Sequence, residues 1–311
     1  MSEPMPRVLR RKHSISQLTT YRWDLPIELE HLAYHGFDAI ALWRTKLSDV
    51  GVDAARKHLD RTGIRVSSLQ WAGGFTGSDG RTFRESIDDA AEAILTAERV
   101  GAEVLVLHTG CRGGHTLGHA RRLLTESLDI LAPLATDRGV TLAIEPHHPA
   151  AAVGCGFMPR LAQALEWVDR FDHPAVQLVL DLWQFGHEPS LGGILPDLVK
   201  RLALVKVADR IGMPSCDRER LPPGEGHLPL ERLVADLQAA GFSGDLEFEV
   251  VGEAVEAAGY DTVLRRLREV TEGWTEPMRR PLPRQIVRVT SVARRSSASV
   301  RGGGGASAGR G

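Results

Sequence analysis

Two hydrophobic rhythms alternate along this chain. Short apolar runs rich in β-branched residues recur at His13–Thr20, Phe37–Trp43, Ile64–Leu69, Val104–His108, Val140–Glu145, Val176–Asp181, Leu202–Val207 and Leu246–Val251; each has the length and composition of a buried strand. Between them the apolar residues return every three or four positions. Phe83–Val100 carries Ile87, Ala91, Ile94 and Leu95 on one stripe and stops before Gly101, Leu123, Leu124, Leu128 and Leu131 form a second stripe before Gly139, and Leu230–Ala240 and Val255–Val270 repeat the theme; this is the pattern of helices with one buried face and a glycine stop. Eight strand–helix alternations predict an α/β fold, a single (β/α)₈ barrel over residues 10–274. A doubly wound nucleotide-binding sheet is disfavoured because no Gly-rich phosphate loop follows the first strand, and Gly110-Cys-Arg-Gly-Gly114 reads as a turn.

Composition adds limits to this picture. With 311 residues, 42% of them hydrophobic, and a net charge of −2, the chain can bury a full barrel core, and no apolar run is long enough to span a bilayer. A cytoplasmic protein without a membrane partner is expected. Cys111, Cys155 and Cys216 are odd in number and widely spaced, which favours idle thiols over a disulfide framework or a structural zinc site. Charge separates sharply near the end: Glu276–Gly311 holds eight arginines and one acid. Residues 275–311, rich in Arg, Gly and Ser, are expected to be a disordered basic tail. Without interleaved aromatic residues or a nucleic-acid motif, they predict no specific nucleic-acid partner.

Three carboxylates close three of the strands: Glu145, Asp181 and Glu249. Catalytic groups of such barrels come from the C-terminal ends of different strands, so the three are expected to share one site. Gathering them needs a cation to offset their repulsion. The intervening strand supplies Lys206, for which a structural ion pair and a catalytic role are both open. Glu247 lies on the same strand face as Glu249, and the choice between them depends on register.

Trp43-Arg44, Ser67-Ser-Leu-Gln-Trp-Ala-Gly-Gly-Phe75, Leu142-Ala-Ile-Glu-Pro-His-His-Pro149, Asp181-Leu-Trp183, Pro223-Gly-Glu-Gly226 and Glu247-Phe-Glu249 stand in order at the strand ends. As a set they resemble the sugar phosphate isomerase/epimerase family of the xylose-isomerase-like barrel superfamily. The resemblance implies one divalent ion (Mn, Mg, Co or Zn) held by acids after strands five, six and eight and a His after strand seven. The matching metal ligands here are Glu145, Asp181 and Glu249, with Lys206-Val-Ala-Asp209 where relatives read His-x-x-Asp. A protonated lysine cannot ligate, so the ion is expected to be weakly held or absent. Relatives also carry a substrate-binding His three residues after the strand-six acid; this chain has Gln184 there, with His187 nearest. Arg220, four residues before the first glycine of Gly-Glu-Gly, matches a substrate-contacting position.

The resemblance implies an isomerase or epimerase of a small sugar or related polyhydroxy carbonyl compound. Such chemistry moves a proton on carbon through an enediolate, and relatives place the strand-five and strand-eight glutamates on opposite faces of the sugar. Glu145, Glu249 and Lys206 are therefore the catalytic candidates, with Lys206 able to stabilise the intermediate electrostatically if no metal binds. Trp43, His108, His147, Trp183, Gln184, His187 and Arg220 are the substrate-binding candidates, with Trp71 as further wall. One histidine could replace the missing ligand, although each could equally be a hydrogen-bonded structural group. Two other readings stay open, a polyol dehydratase of the same superfamily and a sugar-binding descendant without turnover. A carbohydrate is the expected partner, and a homo-oligomer is compatible with the sequence.

Overall fold

The computed structural model describes residues 13–151, 156–215 and 219–274. All eight expected strands are present: β1 (His13–Ser16), β2 (Ala39–Trp43), β3 (Arg65–Gly73), β4 (Ala102–His108), β5 (Thr141–Ile144), β6 (Val176–Asp181), β7 (Leu202–Val207) and β8 (Asp245–Phe248). They close in chain order into a parallel barrel, β8 pairing back onto β1 through His13–Leu246 and Ile15–Phe248.

Alternation along each strand sorts side chains into two environments. Leu105, Leu142, Leu180, Val205 and Phe248 face outward into a continuous core with the helices, while Val104, Val106, Ala143, Val179 and Leu204 form a separate small cluster. The latter residues have the parity of His108, Glu145, Asp181 and Lys206, so the same inward rows change from apolar to ionisable toward the C-terminal mouth. At the opposite end Arg65 donates to Asp245 at 2.9 Å, joining the starts of β3 and β8.

Local sequence explains the helix limits. Phe83–Val100 begins with a capping box, in which the Thr82 side chain accepts from Glu85 N and the Glu85 carboxylate accepts from Thr82 N; Gly101, at φ 74°, ends the helix in the left-handed region. The expected helix Val255–Val270 is instead two helices, Glu253–Ala258 and Tyr260–Gly273, separated by Gly259. At φ 77° that glycine turns the chain where other residues would be strained. The first strand ends at Ser16 rather than Thr20: Gln17 N still donates to Ala41 O at 3.0 Å, and beyond it the chain turns, with the Gln17 and Thr20 side chains donating to the buried Glu28 carboxylate, each at 2.6 Å. Residues 275–311, Cys155 and Cys216 lie outside the described residues, whereas Cys111 is a free thiol. Among the described residues no helix is long and apolar enough to cross a membrane.

Candidate active site

Strand pairing sets Lys206 beside Asp181 on one side and Glu247 on the other. Glu145 and Glu249 lie just beyond β5 and β8, but Glu145 N still donates to Leu107 O and Glu249 N to Val207 O, so the alternation carries both side chains inward. Lys206 Nζ lies 3.0 Å from Glu145 Oε2 and 3.2 Å from Glu249 Oε2, and it donates to Gln70 Oε1 at 3.2 Å. Burial disfavours the ammonium, but Glu145, Glu249 and Glu247 more than offset this and raise its pKa above the ordinary lysine value. This environment favours the ammonium form of Lys206 over the neutral amine. Glu145 shows the converse: burial raises its pKa, yet Lys206 and His108, whose Nε2 is 3.3 Å from Oε2, hold it well below the carboxylate range. Glu247 accepts from Ser68 Oγ at 2.7 Å and from Gln70 Nε2, and burial pushes it up to about 7.

A second cation arrives from the β7–β8 connection. Arg220 and Val251 exchange both backbone hydrogen bonds, at 2.8 and 2.9 Å, and Asp209 and Leu221 do the same at 2.7 and 2.9 Å. The Asp209 carboxylate accepts from the backbone N–H groups of Arg210, Gly224, Gly226 and Leu228. The final acid of Lys206-Val-Ala-Asp209 therefore shapes the Gly-Glu-Gly loop. Gly226 is required by close approach, because a Cβ there would stand 2.6 Å from both N and O of Arg210. From this support Arg220 Nη2 donates to Asp181 Oδ2 at 2.6 Å, its Nε lies 3.5 Å from Glu249 Oε1, and its guanidinium stacks 4.7 Å over the Trp183 ring. Asp181 also accepts from Trp183 N and Gln184 Nε2. Its buried oxygens are fully committed.

These groups surround a cavity of about 990 Å³ at the barrel mouth. Glu145, Glu249, Lys206 and Arg220 reach it, as do His108, His147, Trp183 and Gln184. Glu249, not Glu247, lines the cavity. Two expected substrate-binding residues do not: Trp43 packs edge-on behind Trp71, with centroids 6.5 Å apart, and the exposed His187 directs Nε2 toward His227 O. Trp71 takes the wall position because β3 runs four residues past its expected end to Gly73. Gln70, Glu219 and Glu253 escaped the sequence reading. The strand-three motif gave a signal for Gln70; Glu219 sits on a loop and Glu253 opens a six-residue helix, neither with enough periodicity to mark it in sequence.

Glu145, Asp181 and Glu249 do not form an open ligand set for a divalent ion. Lys206 bridges two of them, Arg220 binds the third, and an added cation would meet both positive charges at close range. A different donor set exists beside them: one ligand atom each from His108, Glu145 and His147 lie within 4.8 Å of one another. Burial lowers the His147 pKa to about 4, favouring a neutral imidazole whose buried Nδ1 has no hydrogen-bond partner among the described residues. Both imidazoles suit a borderline metal, but Glu145 is shared with Lys206.

Comparison with known proteins agrees with this architecture. The chain is 24% identical over 246 residues to 3-dehydroshikimate dehydratase of Pseudomonas putida, covering 75% of this chain and 37% of that enzyme, so it spans little more than a third of that relative's length. It is 24% identical over 242 residues to inosose isomerase of Halalkalibacterium halodurans, covering 73% and 83% of the two chains. The crystal structure of IOLI protein with a zinc atom shares the fold at TM-score 0.72 and 21% identity, covering 85% of this chain and 98% of that one. The model of the xylose isomerase-like TIM barrel family matches residues 29–270, and the chain belongs to that family.

Proposed function

We propose that this protein is an isomerase or epimerase of a small polyhydroxy carbonyl compound, with Glu145 and Glu249 as proton-transfer groups and Lys206 as the electrostatic stabiliser of the enediolate. The observation that carries the reading is the shared ammonium: one buried Lys206 lies within 3.2 Å of carboxylates that follow β5 and β8, at a cavity roomy enough for a small sugar. One carboxylate removes a proton from the carbon beside the carbonyl, the electron pair moves to oxygen, and Lys206 offers that oxygen a hydrogen bond. In an epimerisation the other carboxylate, carrying a proton taken up from solvent, delivers it to the opposite face; in an isomerisation the first carboxylate gives its proton to the neighbouring carbon while the hydroxyl proton passes between the two substrate oxygens.

The ion pairs also bear on timing. While Lys206 binds Glu145, that carboxylate is a weak base. When the substrate oxygen claims part of the ammonium's hydrogen-bonding capacity, Glu145 gains basicity at the moment of proton abstraction. Arg220 and Gln184 hold Asp181 away from the reacting atoms and fix the cavity wall.

The dehydratase relative supports a second reading in which the same carbanion expels a neighbouring hydroxyl. His108, 3.3 Å from Glu145, is the group to protonate that leaving oxygen. Incubation with ketoses and cyclic keto-polyols in deuterated water tests both. Deuterium at the carbon beside the carbonyl with product of unchanged mass, apart from the label, supports isomerisation or epimerisation; loss of water supports dehydration. Absence of both from compounds that bind would reject proton transfer and favour a non-catalytic sugar-binding protein.

A further inference from the structure

We infer that the ligand of this cavity is electrically neutral, a polyhydroxy ketone or aldehyde without phosphate or carboxylate. The inference deepens the proposed function by naming its substrate class. It rests on how charge is distributed around the cavity.

An anionic substituent needs cationic or N–H donors that are not already committed. Among the described residues the cavity wall offers two fixed cations, Lys206 and Arg220. Lys206 is held between Glu145 and Glu249, and Arg220 between Asp181 and Glu249. An anion that captured Arg220 would leave Asp181, which is completely buried, without its charge partner, a strongly unfavourable exchange. The imidazoles do not replace these cations. His108 is directed at Glu145, and His147 packs edge-on against the His108 ring.

The rim adds negative charge. Glu219 and Glu253 both line the cavity. Glu219 is fixed there, since its Oε1 accepts from Ala254 N at 3.1 Å in the first turn of the short helix Glu253–Ala258. The N–H donor that such a helix could offer to an anion is thus taken by the protein's own carboxylate. Gly252 makes room for it: a Cβ at that position would come within 2.6 Å of Glu219 Cγ and Cδ. A phosphate or carboxylate entering here meets repulsion from the rim and finds its cations engaged inside. A neutral polyol meets the indoles of Trp71 and Trp183 for its C–H faces and carboxylate oxygens for its hydroxyls.

The test uses the intact, EDTA-treated protein and matched pairs: D-fructose against fructose 6-phosphate, D-tagatose against tagatose 6-phosphate, and a 2-keto-inositol against 3-dehydroshikimate. Binding is read by calorimetric titration, and proton transfer by deuterium incorporation. In each productive pair the neutral member should bind at least about tenfold more tightly, with the gap shrinking as salt is raised. Glu219→Gln combined with Glu253→Gln should narrow the gap severalfold. Equal or tighter binding of the anionic members, or failure of every neutral member to bind, would overturn the inference. The two readings fail separately. Neutral ketones that bind without exchanging deuterium sink proton transfer alone, whereas anions that bind tightly and exchange deuterium sink neutrality alone.

Discussion

Arg220 donates to Asp181 Oδ2 at 2.6 Å, and this contact makes the strand-six acid the anchor of a guanidinium. Together with Lys206 between Glu145 and Glu249, it places two protein cations where three carboxylates would otherwise attract a divalent ion.

The first expectation concerns metal. After dialysis the protein should retain divalent metal well below one equivalent, and Lys206→His should bind zinc or manganese at least about tenfold more tightly by replacing an ammonium with an imidazole ligand. Elemental analysis and calorimetric titration of parent and variant check this. If the parent does bind zinc, His147→Ala should abolish that binding, because His147 belongs to the alternative donor set.

Glu145→Gln and Glu249→Gln should each slow deuterium exchange into a bound ketose by about a hundredfold or more, since the amide keeps the shape but cannot carry the proton. Circular dichroism and melting curves verify that both variants are folded. Near-parental exchange in either would remove that residue from the mechanism.

Lys206→Met should destabilise the protein by ~3–5 kcal/mol near pH 8, where Glu145 and Glu249 would be left as buried anions without their ammonium. Glu145 has a folded pKa below its unfolded value of about 4.3, so the stabilisation it contributes is present above that value and disappears as pH falls through the folded pKa. Urea unfolding from pH 8 down to below pH 4 should therefore show a difference between parent and variant that shrinks as pH falls.

Glu247 has the opposite linkage. Its folded pKa, raised to about 7, means that between about pH 4.5 and 7 the folded state holds a proton the unfolded state has lost, so stability falls as pH rises through that window. Relative to Glu247→Gln, the parent should lose about 3 kcal/mol between pH 4.5 and 8, an order-of-magnitude figure from the same shift. A pH-independent difference between the two would contradict it.

A chain ending at Glu276 should melt and exchange protons like the full chain, because the residues beyond it lack the apolar periodicity of a core element. It should also lose salt-sensitive adhesion to polyanions, since eight arginines are removed against no acid. Melting, exchange and sizing at low and high salt compare the two.

Much of the barrel was legible because its signals are local. Short apolar runs marked every strand, and the alternation that points Leu105 outward and Val106 inward also carries Glu145 and Glu249 into the mouth. Boundaries were less legible where a side chain or glycine competes with the ladder. The Gln17 and Thr20 side chains turn to Glu28 where β1 ends, and Gly259 divides a helix whose apolar stripe reads as continuous.

The sequence by itself determined the strand order, the acids at the strand ends and the substitution of Lys206 for a histidine, because each follows from position along one strand. The tertiary structure alone decided which charge meets which. Residues 61 and 43 positions apart reach the same ammonium, and Arg220 turns onto Asp181 because its backbone pairs with Val251. Trp71 rather than Trp43 faces the cavity because β3 continues beyond its apolar run, and His187 points to His227 O instead of the cavity. These contacts depend on the direction of each side chain across a closed ring of strands, a geometry that appears only when β8 joins β1.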